Sequence, residues 1–102
     1  MAIGIHMVLA ESIGTDEYLA VNAAIEGGEP VAGLLFHQAI VQEGRINVYD
    51  VWESRAAFDT FQQERLVPTI AATVGEERMA ATGGPPEIDE YEVLDYMKGA
   101  AA

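Results

Sequence analysis

Between Gly33 and Ser54 the chain reads GLLFHQAIVQEGRINVYDVWES, which sets one histidine, His37, in an apolar run and one aspartate, Asp50, in the next. If the two side chains meet, the carboxylate fixes the imidazole tautomer, and its negative charge raises the imidazole pKa. That is how a general base for proton abstraction is built. The competing reading is that the pair only satisfies two polar groups in a partly buried sheet.

The meeting depends on a turn. With a tight reversal at Glu43-Gly44, Gln42 opposes Arg45, and counting back along both runs sets His37 opposite Asp50. An odd-numbered loop with a bulge would instead bring Tyr49 opposite His37 and send Asp50 to the other face. In the even register one face carries Leu35, His37, Ala39, Val41, Ile46, Val48, Asp50 and Trp52. The other carries Leu34, Phe36, Gln38, Ile40, Asn47, Tyr49 and Val51. Both faces mix apolar with polar residues, so both are expected to be covered over much of their length.

The elements that must position these residues follow from periodicity. AIGIHMVL, Ala2 to Leu9, alternates Ile3, Ile5 and Met7 against Gly4, His6 and Val8, the period of a first strand. TDEYLAVNAAIE, from Thr15 to Glu26, repeats Tyr18, Val21 and Ile25 at helical spacing, with Thr15 or Asp16 as the expected cap and Gly27-Gly28 as the stop. The two runs around QEG form a hairpin of strands 2 and 3. Ser54 caps a second helix whose apolar stripe is Ala57, Phe58, Phe61 and Leu66. Pro68 lacks an amide hydrogen and should kink that helix or open a short second segment reaching about Val74. ATGGPPE is a loop, EIDEYEVLDYM a fourth strand with an exposed edge or face, and residues 96–102 a frayed tail.

The order β-α-β-β-α-β is that of a ferredoxin-like α+β sandwich, a four-stranded antiparallel sheet with both helices on one face. The bare face of so short a chain is most simply covered by a second copy, so a homodimer is expected. At 102 residues the chain is expected to be a single domain. If Ile3, Ile5 and Met7 pack under the helices, His6 shares the open face with His37. Two histidines and an aspartate could then hold a metal as a facial triad, but no local metal motif is present, and His6 is read as a pocket-lining or exposed residue. No metal is expected.

Composition narrows the partners. A net charge of −12, from 17 acids against 5 bases, repels phosphate backbones and anionic bilayers, which argues against nucleic acid and membrane surfaces. No apolar run approaches the ~20 residues of a membrane helix. The start MAIGIHMVLAES lacks the basic residues of a secretory signal, so a cytoplasmic location is expected. With no cysteine, thiol redox chemistry, thiolate nucleophiles and disulfides are excluded.

GLLFHQA, VYDVWESRAAFDTFQQERLVP and the strand-helix order resemble the dimeric α+β barrel superfamily, in particular its small antibiotic biosynthesis monooxygenase-like members. VWES followed by an Ala/Phe-rich helix is the most specific part, and the likeness spans strand 2 through helix 2. The resemblance implies paired sheets across a dimer and a pocket between sheet and helices. It also implies chemistry on a small aromatic, polyketide-like or lactone-like metabolite: oxygenation, cyclisation or isomerisation without a cofactor.

Trp52 matches a tryptophan that lines the pocket in family oxygenases, so its face, with Leu35, His37, Val48 and Asp50, is the expected substrate face; the other reading makes Trp52 a core plug. Haem-degrading members carry a histidine ligand on the second helix, and Ser54 to Val74 has none. Polyketide oxygenases use an asparagine near the position of Val48, whereas Asn47 points the other way. Arg65 is a candidate cation for an enolate or carboxylate substrate, or else an ordinary surface ion pair. Tyr18, Tyr91 and Tyr96 are further candidates for phenol donors, unranked among themselves. The resulting expectation is an enzyme with His37 as base, Asp50 as its orienting carboxylate, and Trp52, His6, Leu35, Val48 and Arg65 around the substrate. The alternative is a non-catalytic, ligand-binding or stress-associated dimer.

Overall fold

The computed structural model describes residues 2–81 and 87–95. The heart of the expected 81–87 loop, Tyr96 and the expected tail lie outside those residues. The sheet is four-stranded and antiparallel with the order β2-β3-β1-β4, built from β1 (Ile3–Val8), β2 (Leu34–Gln42), β3 (Arg45–Trp52) and β4 (Glu87–Glu92). The helical segments are α1 (Thr15–Glu26), α2 (Arg55–Phe61), a π-helical stretch (Gln62–Leu66), α3 (Val67–Val74) and α4 (Glu76–Ala81). This is the ferredoxin-like α+β arrangement expected from the element order.

The β2–β3 hairpin turns on two residues. Glu43 (φ 53°) and Gly44 (φ 76°) both take the left-handed conformation, whose twist matches that of the flanking strands. Gln42 therefore pairs with Arg45, Ala39 with Val48 and His37 with Asp50. The even register holds as far as Phe36, which pairs with Val51, and then shifts, so that Leu34 rather than Leu35 pairs with Trp52. The expected alternation is thus wrong at its far end. The extra residue, Leu35, is a bulge, and Leu34 moves to the helix side, where it packs against the core. Next to it Gly33 (φ 82°) lies so close to the Ala57 methyl that a Cβ would collide with it.

Ile5, Met7, Ile46, Val48, Trp52 and Phe58 form the buried core between sheet and helices. In this register Ile5 pairs with Asp50 and Met7 with Val48, so the core, His37, Asp50 and Trp52 all lie on the helix-covered face. Burying each large apolar side chain contributes roughly 1.5–3 kcal/mol. Trp52 meets Phe58 edge-on at 5.7 Å and Phe61 at 5.3 Å between ring centres.

Helix starts differ in how they are capped. Ser54 caps α2 as expected, its Oγ accepting the Ala57 N–H at 3.1 Å. For α1 the expected Thr15 or Asp16 cap is replaced by Gly14, whose N–H donates to Glu17 Oε1 at 3.2 Å. Asp16 and Glu17 then sit in the first turn, where negative charge favours the helix N-terminus. Pro68 opens a second segment that ends at Val74, as expected, and the helical run continues through it. It falls in the first turn of α3, where a missing N–H costs least, and the chain enters that turn through the π stretch, with the Val67 N–H bonded to the Gln62 carbonyl.

Candidate functional site

His37 Nδ1 lies 2.6 Å from Asp50 Oδ1. A carboxylate only accepts, so Nδ1 carries the proton and donates it. The second carboxylate oxygen, Oδ2, accepts the Trp52 indole N–H at 3.3 Å. On the other edge of the ring, His37 Nε2 is 2.8 Å from the Tyr18 hydroxyl. With the proton on Nδ1, the neutral ring accepts the phenol O–H at Nε2. Four side chains from α1, β2 and β3 thus form one line, Tyr18 to His37 to Asp50 to Trp52.

Burial grades along that line. Trp52 and Asp50 are 1% and 4% exposed, whereas the His37 side chain keeps 32% of its surface. The carboxylate is shielded and satisfied from inside, while the imidazole edge facing Tyr18 borders solvent. The Asp50 hydrogen bond pushes the His37 pKa above its ordinary value, against partial burial, with the charges of Asp50 and Glu26 adding to the rise. Tyr18 is pushed up to about 12 by burial first and then by Asp50 and Glu26, so it stays a phenol across the physiological range.

The remaining candidates separate from this line. His6 is on the opposite, open face, contrary to the expectation that it would share a face with His37. Its neighbours on β1 pack under the helices, while the helices cover His37 as well. There the His6 ring stacks on Tyr49 at 4.3 Å, and Nε2 lies 2.9 Å from Asn47 Oδ1. The two histidines and Asp50 therefore do not converge, and among the described residues no three His, Asp or Glu side chains form a metal-binding group. Val48 is a core residue, 3% exposed. Leu35 is half-buried at the bulge.

Among the described residues Arg65 forms no ion pair, and its guanidinium is held by main-chain carbonyls. Its guanidinium donates to the carbonyls of Glu29 at 2.7 Å and Ile25 at 3.1 Å, closing the C-terminal end of α1. A cleft of about 410 Å³ opens beside it, lined by Val31, Gly33, Glu53, Ala57, Phe61 and Arg65 among others. The cleft does not include His37, Asp50 or Tyr18. Phe61, Val31 and Ala57 line the cleft and also pack against the core that holds Trp52. The His37 line is defined by its hydrogen bonds and not by a cavity.

Tyr18 is the residue that spacing alone did not single out. The signal was present: a tyrosine on the apolar stripe of an amphipathic helix buries its ring and must find a partner for its hydroxyl.

No protein-family model matches the chain, and no curated protein matches it in sequence. Solved structures do. A protein from Chloroflexus aurantiacus, provisionally named an antibiotic biosynthesis monooxygenase, superposes with a TM-score of 0.63 at 15% identity, covering 97% of this chain and all of its own. One from Caulobacter crescentus with the same provisional name gives 0.61 at 20% identity, over 92% and 91% of the two chains. MhuD, in a mutant form with two manganese protoporphyrin IX molecules bound per active site, gives 0.55 at 25% identity over 97% and 100%. The chain has the fold of the antibiotic biosynthesis monooxygenase-like proteins, as the resemblance implied. The segment from Arg55 to Val74 contains no His, Cys, Met or Tyr, the side chains of the kind that ligate a haem iron axially.

Proposed function

We propose that this chain is a monooxygenase-like enzyme that starts its reaction by removing a proton next to a carbonyl of a small aromatic, polyketide-like or lactone-like substrate. The supporting observation is the His37–Asp50 pair: a strong, charge-assisted hydrogen bond at 2.6 Å, its carboxylate buried, behind an imidazole whose far edge borders solvent. His37 Nε2 takes the proton, the C–H electron pair passes into the enolate, and Asp50 stabilises the imidazolium. Trp52 holds Asp50 in place through Oδ2 and packs behind it. The reading needs no group beyond the chain's own residues for this step.

The experiment is hydrogen-deuterium exchange of carbonyl-adjacent protons in deuterated buffer, followed by NMR over a panel of phenolic ketones and lactones. Wild type should accelerate exchange of at least one class, and His37→Ala should abolish the acceleration while leaving the fold intact. Equal exchange by both proteins rejects the assignment. Oxygen uptake with the same panel then separates oxygenation from cyclisation or isomerisation.

A second reading has its own support. Every buried side-chain polar atom among the described residues is partnered, and Nε2 already has Tyr18. A closed network of this kind suits a non-catalytic ligand-binding dimer, in which His37 titrates without responding to any ligand.

Both readings include self-association. The open sheet face carries Phe36 and Tyr91, 44% and 43% exposed, alongside His6 and Tyr49, and a second copy would cover it.

A further inference from the structure

The Tyr18 hydroxyl and His37 Nε2 stand 2.8 Å apart at the outer edge of the site, so any substrate that reaches the base also meets the phenol. We propose that Tyr18 is the oxyanion donor of this site: its O–H turns from His37 Nε2 to the carbonyl oxygen of an enolisable substrate. This rests on His37 acting as the base. In the free protein the phenol occupies the imidazole lone pair. A substrate bound with its carbonyl oxygen at Tyr18 and its acidic carbon at Nε2 exchanges one hydrogen bond for another and frees the base in the same movement.

The geometry suits an enolate, whose carbon and oxygen ends are two bonds apart. As the carbon proton moves to Nε2, the electron pair shifts toward oxygen, where the negative charge meets the Tyr18 O–H. The proton stays on the imidazole and the phenol keeps its own, so the step balances within substrate and site. The surroundings keep Tyr18 a donor rather than a base. Burial of the ring acts first, Asp50 from β3 and Glu26 from α1 are the charges acting on it, and α3, which packs on α1, has no titratable side chain from Val67 to Val74. Loss of its own proton is therefore disfavoured.

The test uses 4-nitrophenolate as an enolate-like oxyanion and nitrobenzene as its neutral counterpart, with binding followed by NMR on the full chain. Tyr18→Phe keeps the ring in the α1 stripe and should weaken 4-nitrophenolate roughly tenfold, the size of one hydrogen bond to a charged group, while leaving nitrobenzene unchanged. A purely structural role would weaken both alike. In wild type, adding 4-nitrophenolate should also shift the His37 Nε2 nitrogen resonance as Tyr18 lets go of it, a measurement that needs no variant. Equal affinity of wild type and Tyr18→Phe for the oxyanion, binding by neither, or an unmoved Nε2 resonance overturns the proposal. Failure of wild type to exchange carbonyl-adjacent protons instead overturns the general-base reading.

Discussion

His37 and Trp52 hold the same carboxylate from two sides: Asp50 Oδ1 takes the imidazole proton at 2.6 Å and Oδ2 the indole N–H at 3.3 Å. Asp50 is thereby fixed in orientation beneath the helices, and the imidazole it holds has one defined tautomer. Asp50→Asn keeps the shape and removes the charge. We expect the His37 pKa to fall in an NMR titration, and carbonyl-adjacent exchange to drop by about 100-fold, the lower end of what a positioned base contributes.

The same pair sets a pH dependence of stability. The folded-state pKa of His37 lies above its ordinary 6.5, so its stabilisation is fully present below pH 6.5 and is lost as pH rises through the folded value. Thermal unfolding of wild type should show this decline above pH 6.5, and Asp50→Asn should flatten it. An identical pH profile for the two proteins would contradict the charge-assisted bond.

A second window lies at acid pH. Arg78 contacts both carboxylate oxygens of Glu17 at 2.7 Å and holds its pKa at about 2 against the usual 4.5. A depressed acid stabilises above its unfolded pKa and loses that contribution as pH falls from about 4.5 toward 2. Glu17→Gln should remove this part of the acid unfolding transition, and because the pair is at the surface, added salt should shrink the difference.

Trp52 is the only tryptophan and is 1% exposed. Its fluorescence should be blue-shifted and resist quenching by acrylamide. Trp52→Phe loses both volume and the bond to Asp50 and should cost about 1–3 kcal/mol in denaturant unfolding.

Arg65→Ala should cost about 1–2 kcal/mol, because it frees the carbonyls of Ile25 and Glu29. His37 should titrate as in wild type. A changed His37 titration would mean that the cleft and the His37 line are coupled.

The order of the strands and main helices and the cross-strand pair were legible in the chain alone, whereas α4 was not. Alternation marked β1, the Ser54 cap marked α2, and Glu43-Gly44 set an even hairpin loop, from which His37 opposite Asp50 follows by counting. These are local matters of period and turn chemistry. Packing between elements settled the rest. The Leu35 bulge lies beside the close approach of Gly33 to Ala57, and the separation of His6 from His37 follows from the β1–β3 register, which pairs His6 with Tyr49 and Ile5 with Asp50. Arg65 was taken by main-chain carbonyls that only the end of α1 brings near, and Tyr18 reached His37 across 19 residues of sequence because α1 lies over the sheet. Each is a contact between elements, and neither period nor spacing within one element encodes it.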